Sequence, residues 1–174
     1  MFVPAIVDAE ASNPDWQVFV VCAFFVTFTG GLLFLSNRGR YTELSVRQGF
    51  LITVFTWVAI PLLGGLPFVF SDLNLSYTDA FFEAMSGVTT TGSTVITGLD
   101  GLPPGILLWR SLLQWFGGVG IIVMGVAILP LLKVGGMQLF RTEAFDVSEN
   151  FIPRSTKLAA ALSILYVGLT LLCG

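Results

Sequence analysis

The placement of charge fixes what this chain can become. No Asp, Glu, Lys or Arg falls between Asp15 and Arg38, between Arg47 and Asp72, between Arg110 and Lys133, or after Lys157. A helix needs about 20 mostly apolar residues to cross a hydrocarbon core. The first three gaps are long enough; the last, LAAALSILYVGLTLLCG, stops slightly short. Charged residues make up 11% of the chain, less than half of the roughly 25% usual in soluble domains, against 55% hydrophobic residues. The sequence therefore predicts an all-α integral membrane protein.

The same residues remove several functions. A net charge of −3 offers no basic face to phosphates, so no nucleic acid is expected; the partner that the surface calls for is membrane lipid. With no histidine, and with Cys22 and Cys173 inside apolar runs, zinc and iron–sulfur centres lack ligands. The start, MFVPAIVDAEASNPDW, is acidic where a secretory signal is basic, so the first apolar run is expected to stay in the membrane. The last run reaches Gly174 without a polar flank, and a fragment cut inside or at the end of a span is expected.

Orientation follows from Lys and Arg, which favour cytoplasmic loops. Arg38, Arg40 and Arg47 lie between the first two spans; Lys133, Arg141, Arg154 and Lys157 lie between the third and fourth. The opposite segments carry Asp8, Glu10 and Asp15, then Asp72, Asp79, Glu83 and Asp100. If the basic loops are inside, the stretch 72–103 must begin and end outside, so it cannot cross once. Yet it contains AFFEAMSGVTTTGSTVITGL, too apolar for an ordinary exterior loop and too rich in hydroxyls for a span. A re-entrant hairpin satisfies both limits, and non-helical backbone at membrane depth is tolerated where it lines a watery cavity.

Within that hairpin, Ser76 and Asp79 have capping-box spacing and start a short helix that Gly87 and the hydroxyl cluster end. Its negative end would face Thr89–Ser93 and favour a cation. Consecutive backbone carbonyls can replace an ion's hydration shell without adding net charge. The β-branched threonines are expected to be extended, with Gly92 taking a positive φ to turn its carbonyl toward the same axis. A monovalent cation suits such a site, since a divalent one calls for carboxylates.

The runs DAFFEAMSGVTTTGST and LLQWFGGVGIIVMGVAILPLLKVGGMQLFRTE resemble the first membrane–pore–membrane repeat of the Trk/Ktr/HKT potassium transporter superfamily, of the bacterial TrkH/TrkG type. The resemblance covers nearly the whole chain and implies a potassium-channel-like fold with a re-entrant pore loop. Residues 1–47 would hold a preceding transmembrane helix, Trp16–Asn37, and a cytoplasmic loop. Residues 48–132 would form the first repeat, with a span at Gln48–Ser71, a pore helix at Thr78–Val88, a filter at Thr89–Ser93 and a span at Pro104–Leu132. A cytoplasmic loop at 133–157 and the start of a second repeat at 158–174 would follow. By this resemblance Thr89, Thr90, Thr91, Gly92 and Ser93 bind potassium, Thr90 and Thr91 foremost, and form one quarter of a selectivity filter. The implied activity is potassium uptake across the bacterial inner membrane by a multi-pass protein. The implied partners are the remaining repeats of the full-length transporter, a second copy in a homodimer, and a TrkA-like cytoplasmic nucleotide-binding regulatory subunit. By this resemblance the chain is expected to depart from the family in extent, without the very first helix, repeats three and four and most of repeat two.

Arg110 would lie roughly 10 Å deep, where a bare charge is costly. It either snorkels outward or pairs with Glu83 at a similar depth; the pair, as structural support of the filter, is the preferred expectation. Gly117, Gly118 and Gly120 are expected to serve close helix packing rather than a gating hinge. Trp16, Trp57, Trp109 and Trp115 are expected at the interface or facing lipid.

Two other functions compete with a transporter repeat: a homotetrameric single-repeat cation channel, and a non-conducting structural or assembly subunit. An enzyme is not expected, because the Ser/Thr cluster has no histidine or lysine base near it. The parity of the spans generates a direct test. With Cys22 and Cys173 replaced, single cysteines at 72 and 100 should label from one side of the membrane and cysteines at 40 and 141 from the other.

Overall fold

The computed structural model describes residues 1–38, 46–128 and 151–173. They form helices α1 (Phe2–Glu10), α2 (Trp16–Ser36), α3 (Val46–Gly64), α4 (Leu66–Phe70), α5 (Tyr77–Val88), α6 (Pro104–Ile128) and α7 (Phe151–Cys173), with a 3-10 turn at Leu99–Gly101. By length and hydropathy, Trp16–Ser36, Arg47–Phe70 and Pro104–Ile122 can each cross a membrane. In α7 the apolar stretch Ala160–Leu172 is shorter. Phe24, Phe25, Phe28 and Phe34 on α2 and Phe50 and Phe55 on α3 are exposed, as a lipid-facing surface requires.

Several boundaries differ from the sequence expectation for physical reasons. Residues 2–10, read as an exterior segment, form α1, which packs on α2 and α6. The single span expected at 48–71 is interrupted at Gly64-Gly65. There Pro67 has no N–H to donate, and a Cβ on Gly65 would sit 3.0 Å from the Ala80 carbonyl of α5. The Phe68 N–H bonds the Gly65 carbonyl rather than that of Gly64, and the Gly64 carbonyl accepts from Trp109 Nε1 at 2.9 Å. The helix α7 starts at Phe151, ahead of the expected start of the second repeat at 158, and its apolar stretch begins at Ala160. The expected end of the third span (129–132), most of the loop 133–157, Arg40 and Arg141 lie outside the described residues.

Trp109 also corrects its expected placement. It is buried, edge-on to Phe19 of α2 with ring centroids 6.4 Å apart. Trp57 Nε1 lies 2.8 Å from Met124 Sδ, and Trp115 Nε1 donates to Thr170 Oγ1 at 3.0 Å. Trp109 joins helices rather than facing lipid, Trp57 and Trp115 join helices while remaining half-exposed, and Trp16 is exposed. Hydropathy reads depth along a helix, and the facing direction depends on neighbours distant in sequence.

Two buried carboxylates tie the N-terminal helices to one end of the bundle. Asp8 accepts from the Gly105 N–H at 2.7 Å, so an acidic side chain from α1 caps the positive end of α6. Asp15, just before α2, faces the backbone of Asp72 at the end of α4. Burial pushes both carboxyls above their ordinary range; the Gly105 N–H partly offsets this for Asp8 and the Asp72 backbone for Asp15. The starts of α2 and α6 and the end of α4 therefore sit at the same end.

The helix α5 packs parallel to α6. Glu83 meets Arg110, Gly87 lies against Leu113, and the Val88 carbonyl touches Gly117. Gly117 is more than three turns into α6, about 20 Å from its start at 1.5 Å per residue. The chain therefore descends along α6 to mid-length in α5 and returns to the start of α6 through residues 89–103. Gly118 faces the Tyr166 hydroxyl of α7, whereas a Cβ on Gly120 would meet nothing within 4 Å.

Their neighbours separate the three glycines. In the full-length protein, Gly117→Ala should lower stability by about 1–3 kcal/mol, because backbone blocks the added methyl. By contrast, Gly120→Ala should be neutral or stabilising by up to about 1 kcal/mol. Thermal unfolding in detergent reads the difference.

Candidate functional site

The site is built on α5. Ser76 caps it, accepting from the Asp79 N–H at 3.2 Å and donating to Asp79 Oδ2 at 2.7 Å. The opposite end closes with two bonds from the following residues. The Thr90 N–H donates to the Gly87 carbonyl at 2.9 Å and the Thr91 N–H to the Ser86 carbonyl at 3.0 Å. That pair is a Schellman closure, which requires a left-handed residue after the cap. Thr90 fills the position with φ +56°, where glycine is usual. For a β-branched residue this conformation costs roughly 1–2 kcal/mol. The extended threonines expected from the sequence are therefore corrected at two positions: Thr89 has φ −82° and ψ 2°, and Thr90 is left-handed. Helix closure outweighs the local preference of the side chain. Gly92 has a positive φ, +77°.

The closure decides where the carbonyls point. No peptide bond here is cis, and in a planar trans peptide the C=O points opposite to the following N–H. The N–H groups of Thr90 and Thr91 point back at the end of α5, so the carbonyls of Thr89 and Thr90 point away from it. The Gly92 N–H also faces the Ser86 carbonyl, at 3.5 Å, which turns the Thr91 carbonyl the same way. Residues 90–95 are exposed. Thr89 Oγ1 lies 2.8 Å from both the Met85 carbonyl and Thr91 Oγ1. Ser93 behaves differently, its carbonyl accepting from the buried Ser86 hydroxyl at 2.6 Å.

Behind this segment Glu83 and Arg110 meet. Arg110 Nε and Nη2 both lie 2.6 Å from Glu83 Oε1, with the Glu83 side chain fully buried and that of Arg110 23% exposed. Glu83 Oε2 accepts from Thr94 Oγ1 at 2.9 Å and from the Val95 N–H at 3.1 Å. Thr94 Oγ1 in turn accepts from the Ile96 N–H at 3.0 Å. A small cavity of about 50 Å³ lies between the pair and the loop, lined by Glu83, Ser86, Gly87, Gly92, Arg110, Ser111 and Gln114.

Among the expected site residues, Thr89, Thr90, Thr91, Gly92 and Ser93 form one continuous turn beyond α5, and Glu83 and Arg110 lie behind it. Sequence reasoning did not reach Ser86, Thr94 or Val95. Ser86 had one available signal, its i+3 spacing from Glu83, which puts both on one face of α5. Thr94 and Val95 had none, since their contacts depend on how the return strand lies against the helix.

Among the described residues, an all-helical arrangement with three helices long and apolar enough to span, and a buried carboxylate paired with Arg110 two turns into the third, defines a membrane protein. Its residues 15–174 match the TrkH family of cation transport proteins, and the chain belongs to that family. It is 46% identical over 99% of its length to the Trk system potassium uptake protein TrkH of Escherichia coli K12. It is 42% identical over 99% of its length to TrkI of Halomonas elongata, and 37% identical over 86% to TrkG of Escherichia coli K12. It spans 36%, 35% and 33% of the length of these curated relatives, respectively. They are named as uptake proteins, not enzymes.

The pair gives a prediction for the full-length protein. Breaking a buried pair from one side costs about 3–5 kcal/mol, because the other charge is left without its partner. Glu83→Ala or Arg110→Ala alone should therefore lower stability or uptake more than the double change adds to either. A double-mutant cycle measures the coupling, and additive losses would reject it.

Proposed function

We propose that this chain is the first membrane–pore–membrane repeat of a potassium uptake protein of the bacterial inner membrane. In this reading α3 and α4 form the first span, α5 is the pore helix, and Thr89–Ser93 line one quarter of a selectivity filter. The span α6 completes the repeat, and α7 opens the next. The remaining repeats of the full-length protein supply the other three quarters. Potassium is the transported substrate. By family resemblance, the full-length protein pairs as a homodimer and carries a nucleotide-binding regulatory subunit on its cytoplasmic side.

One observation carries the reading. The carbonyls of Thr89, Thr90 and Thr91 turn away from α5 at about half the length of α6, on a stretch that is exposed although it lies deep in the bundle. Carbonyl dipoles in a row replace water around a cation without the tight hold of a carboxylate, so the ion can enter and leave. Carbonyls from one chain face an ion from one side, which is why a complete site needs further repeats. The descent of α5 along α6, with the return through 89–103, supports a re-entrant loop. Glu83 and Arg110 hold the return strand and carry no net charge as a pair, so neither acts as the ion ligand.

The test compares two neighbours in the full-length protein. A Cβ on Gly92 would meet nothing within 4 Å, but φ +77° strains any side chain placed there. Gly92→Ser should therefore weaken the preference for potassium over sodium more than Ser93→Ala, which keeps its backbone. Competition uptake in a transport-deficient host reads both. Parental selectivity in Gly92→Ser together with its loss in Ser93→Ala would replace backbone carbonyls with side-chain oxygens as ligands.

A further inference from the structure

The residue that bonds to both sides of Gly92 is Ser86. Its carbonyl accepts from the Thr91 N–H at 3.0 Å and faces the Gly92 N–H at 3.5 Å. Its hydroxyl donates to the Ser93 carbonyl at 2.6 Å. The side chain is buried on α5, one turn from Glu83, whose carboxylate holds Thr94 and Val95 immediately beyond. Gly92 is thus bracketed by one residue of the helix, with its amide side held by a backbone acceptor and the Ser93–Thr94 peptide beyond it held by a hydroxyl donor.

The two contacts act in opposite senses. Accepting from an N–H turns the preceding carbonyl outward, which is the state of Thr90 and Thr91. Donating to a carbonyl turns that carbonyl inward, which is the state of Ser93. The row of outward carbonyls therefore cannot continue through Ser93 while the Ser86 hydroxyl holds it. We infer that Ser86 is a positioning residue that ends the ion-facing row before Ser93, so that the Ser93 carbonyl is structural and not a potassium ligand.

This inference rests on the filter reading above and narrows it. Glycine has the widest choice of backbone conformations, so the residue after it decides whether its orientation is retained. With the hydroxyl gone, the peptide joining Ser93 to Thr94 loses its inward anchor while Glu83 still holds Thr94 and Val95. That peptide can then turn about the bonds that flank it at Ser93 and Thr94, swinging the Ser93 carbonyl outward beside the ion-facing row. An added, misplaced carbonyl disturbs discrimination between ions before it disturbs the fold.

The experiment uses the full-length protein in a transport-deficient host, with membrane amounts measured alongside uptake. Ser86→Ala should lower the potassium-to-sodium preference about threefold to tenfold, the scale of one lost hydrogen bond. Ser86→Thr, which keeps the hydroxyl, should retain the preference within about twofold on the same scale. Where Ser86→Ala does not accumulate, Ser86→Cys replaces it, because a thiol of similar size is a weak donor and should also lower the ratio. A parental ratio in Ser86→Ala or Ser86→Cys, including uptake of both ions falling in step with membrane amount, overturns the proposal. So does a Ser86→Thr ratio as low as that of Ser86→Ala, since it would assign the effect to shape rather than to the hydroxyl. Gly92→Ser measured in parallel separates the two levels. If it lowers the ratio while Ser86→Ala does not, the positioning role alone is wrong; if neither does, the filter reading fails as well.

Discussion

A carboxylate held inside an apolar bundle is costly unless its oxygens are hydrogen-bonded, and the arrangement of this chain around α5 depends on how Glu83 meets that condition on both oxygens. Two Arg110 nitrogens reach one oxygen, while Thr94 Oγ1 and the Val95 N–H reach the other. A single guanidinium would neutralise the charge but leave the second oxygen without a partner, at a cost of order 1–3 kcal/mol or more. The second oxygen therefore recruits backbone from the segment that follows the helix. The pair joins α5 to α6, and the remaining acceptors join α5 to the returning strand, so one buried side chain sets the relation of three segments.

Parallel packing of α5 against α6 follows from the same neighbourhood. Parallel neighbours require a connection that travels back to the start of the second element, and residues 89–103 provide it. The contact is close because Gly87 and Gly117 have no side chains to separate the backbones: Gly87 lies against Leu113, and Gly117 against the Val88 carbonyl. Small residues at such crossings let dispersion and backbone contact replace the hydrophobic drive that lipid does not supply. At the far end, Asp8 caps α6 through Gly105 and Asp15 meets Asp72, fixing where the descending and returning arms begin and end.

The turn after α5 shows local preference yielding to closure. A threonine in the left-handed region is disfavoured, yet Thr90 adopts it because the Ser86 and Gly87 carbonyls would otherwise end the helix without donors. The strained residue faces the exposed side, within the stretch proposed to meet the ion. The same closure turns the carbonyls of Thr89 to Thr91 outward, so the geometry of the proposed site is a consequence of how the helix ends.

The sequence alone determined the membrane class, the three long spans and the start of α5 at Ser76, because charge spacing and capping chemistry are local and act on any chain of this composition. It also singled out Glu83 and Arg110, since depth along two helices can be counted in residues. Tertiary structure decided the properties that depend on direction rather than depth. Trp109 turned inward to the Gly64 carbonyl, Asp8 became the cap of a helix nearly a hundred residues away, and Ser86 reached Ser93. Hydropathy is nearly blind to azimuth in a helix that is apolar all round, as α2 and α3 are, so the facing side of a residue is fixed only when another segment arrives to bond with it.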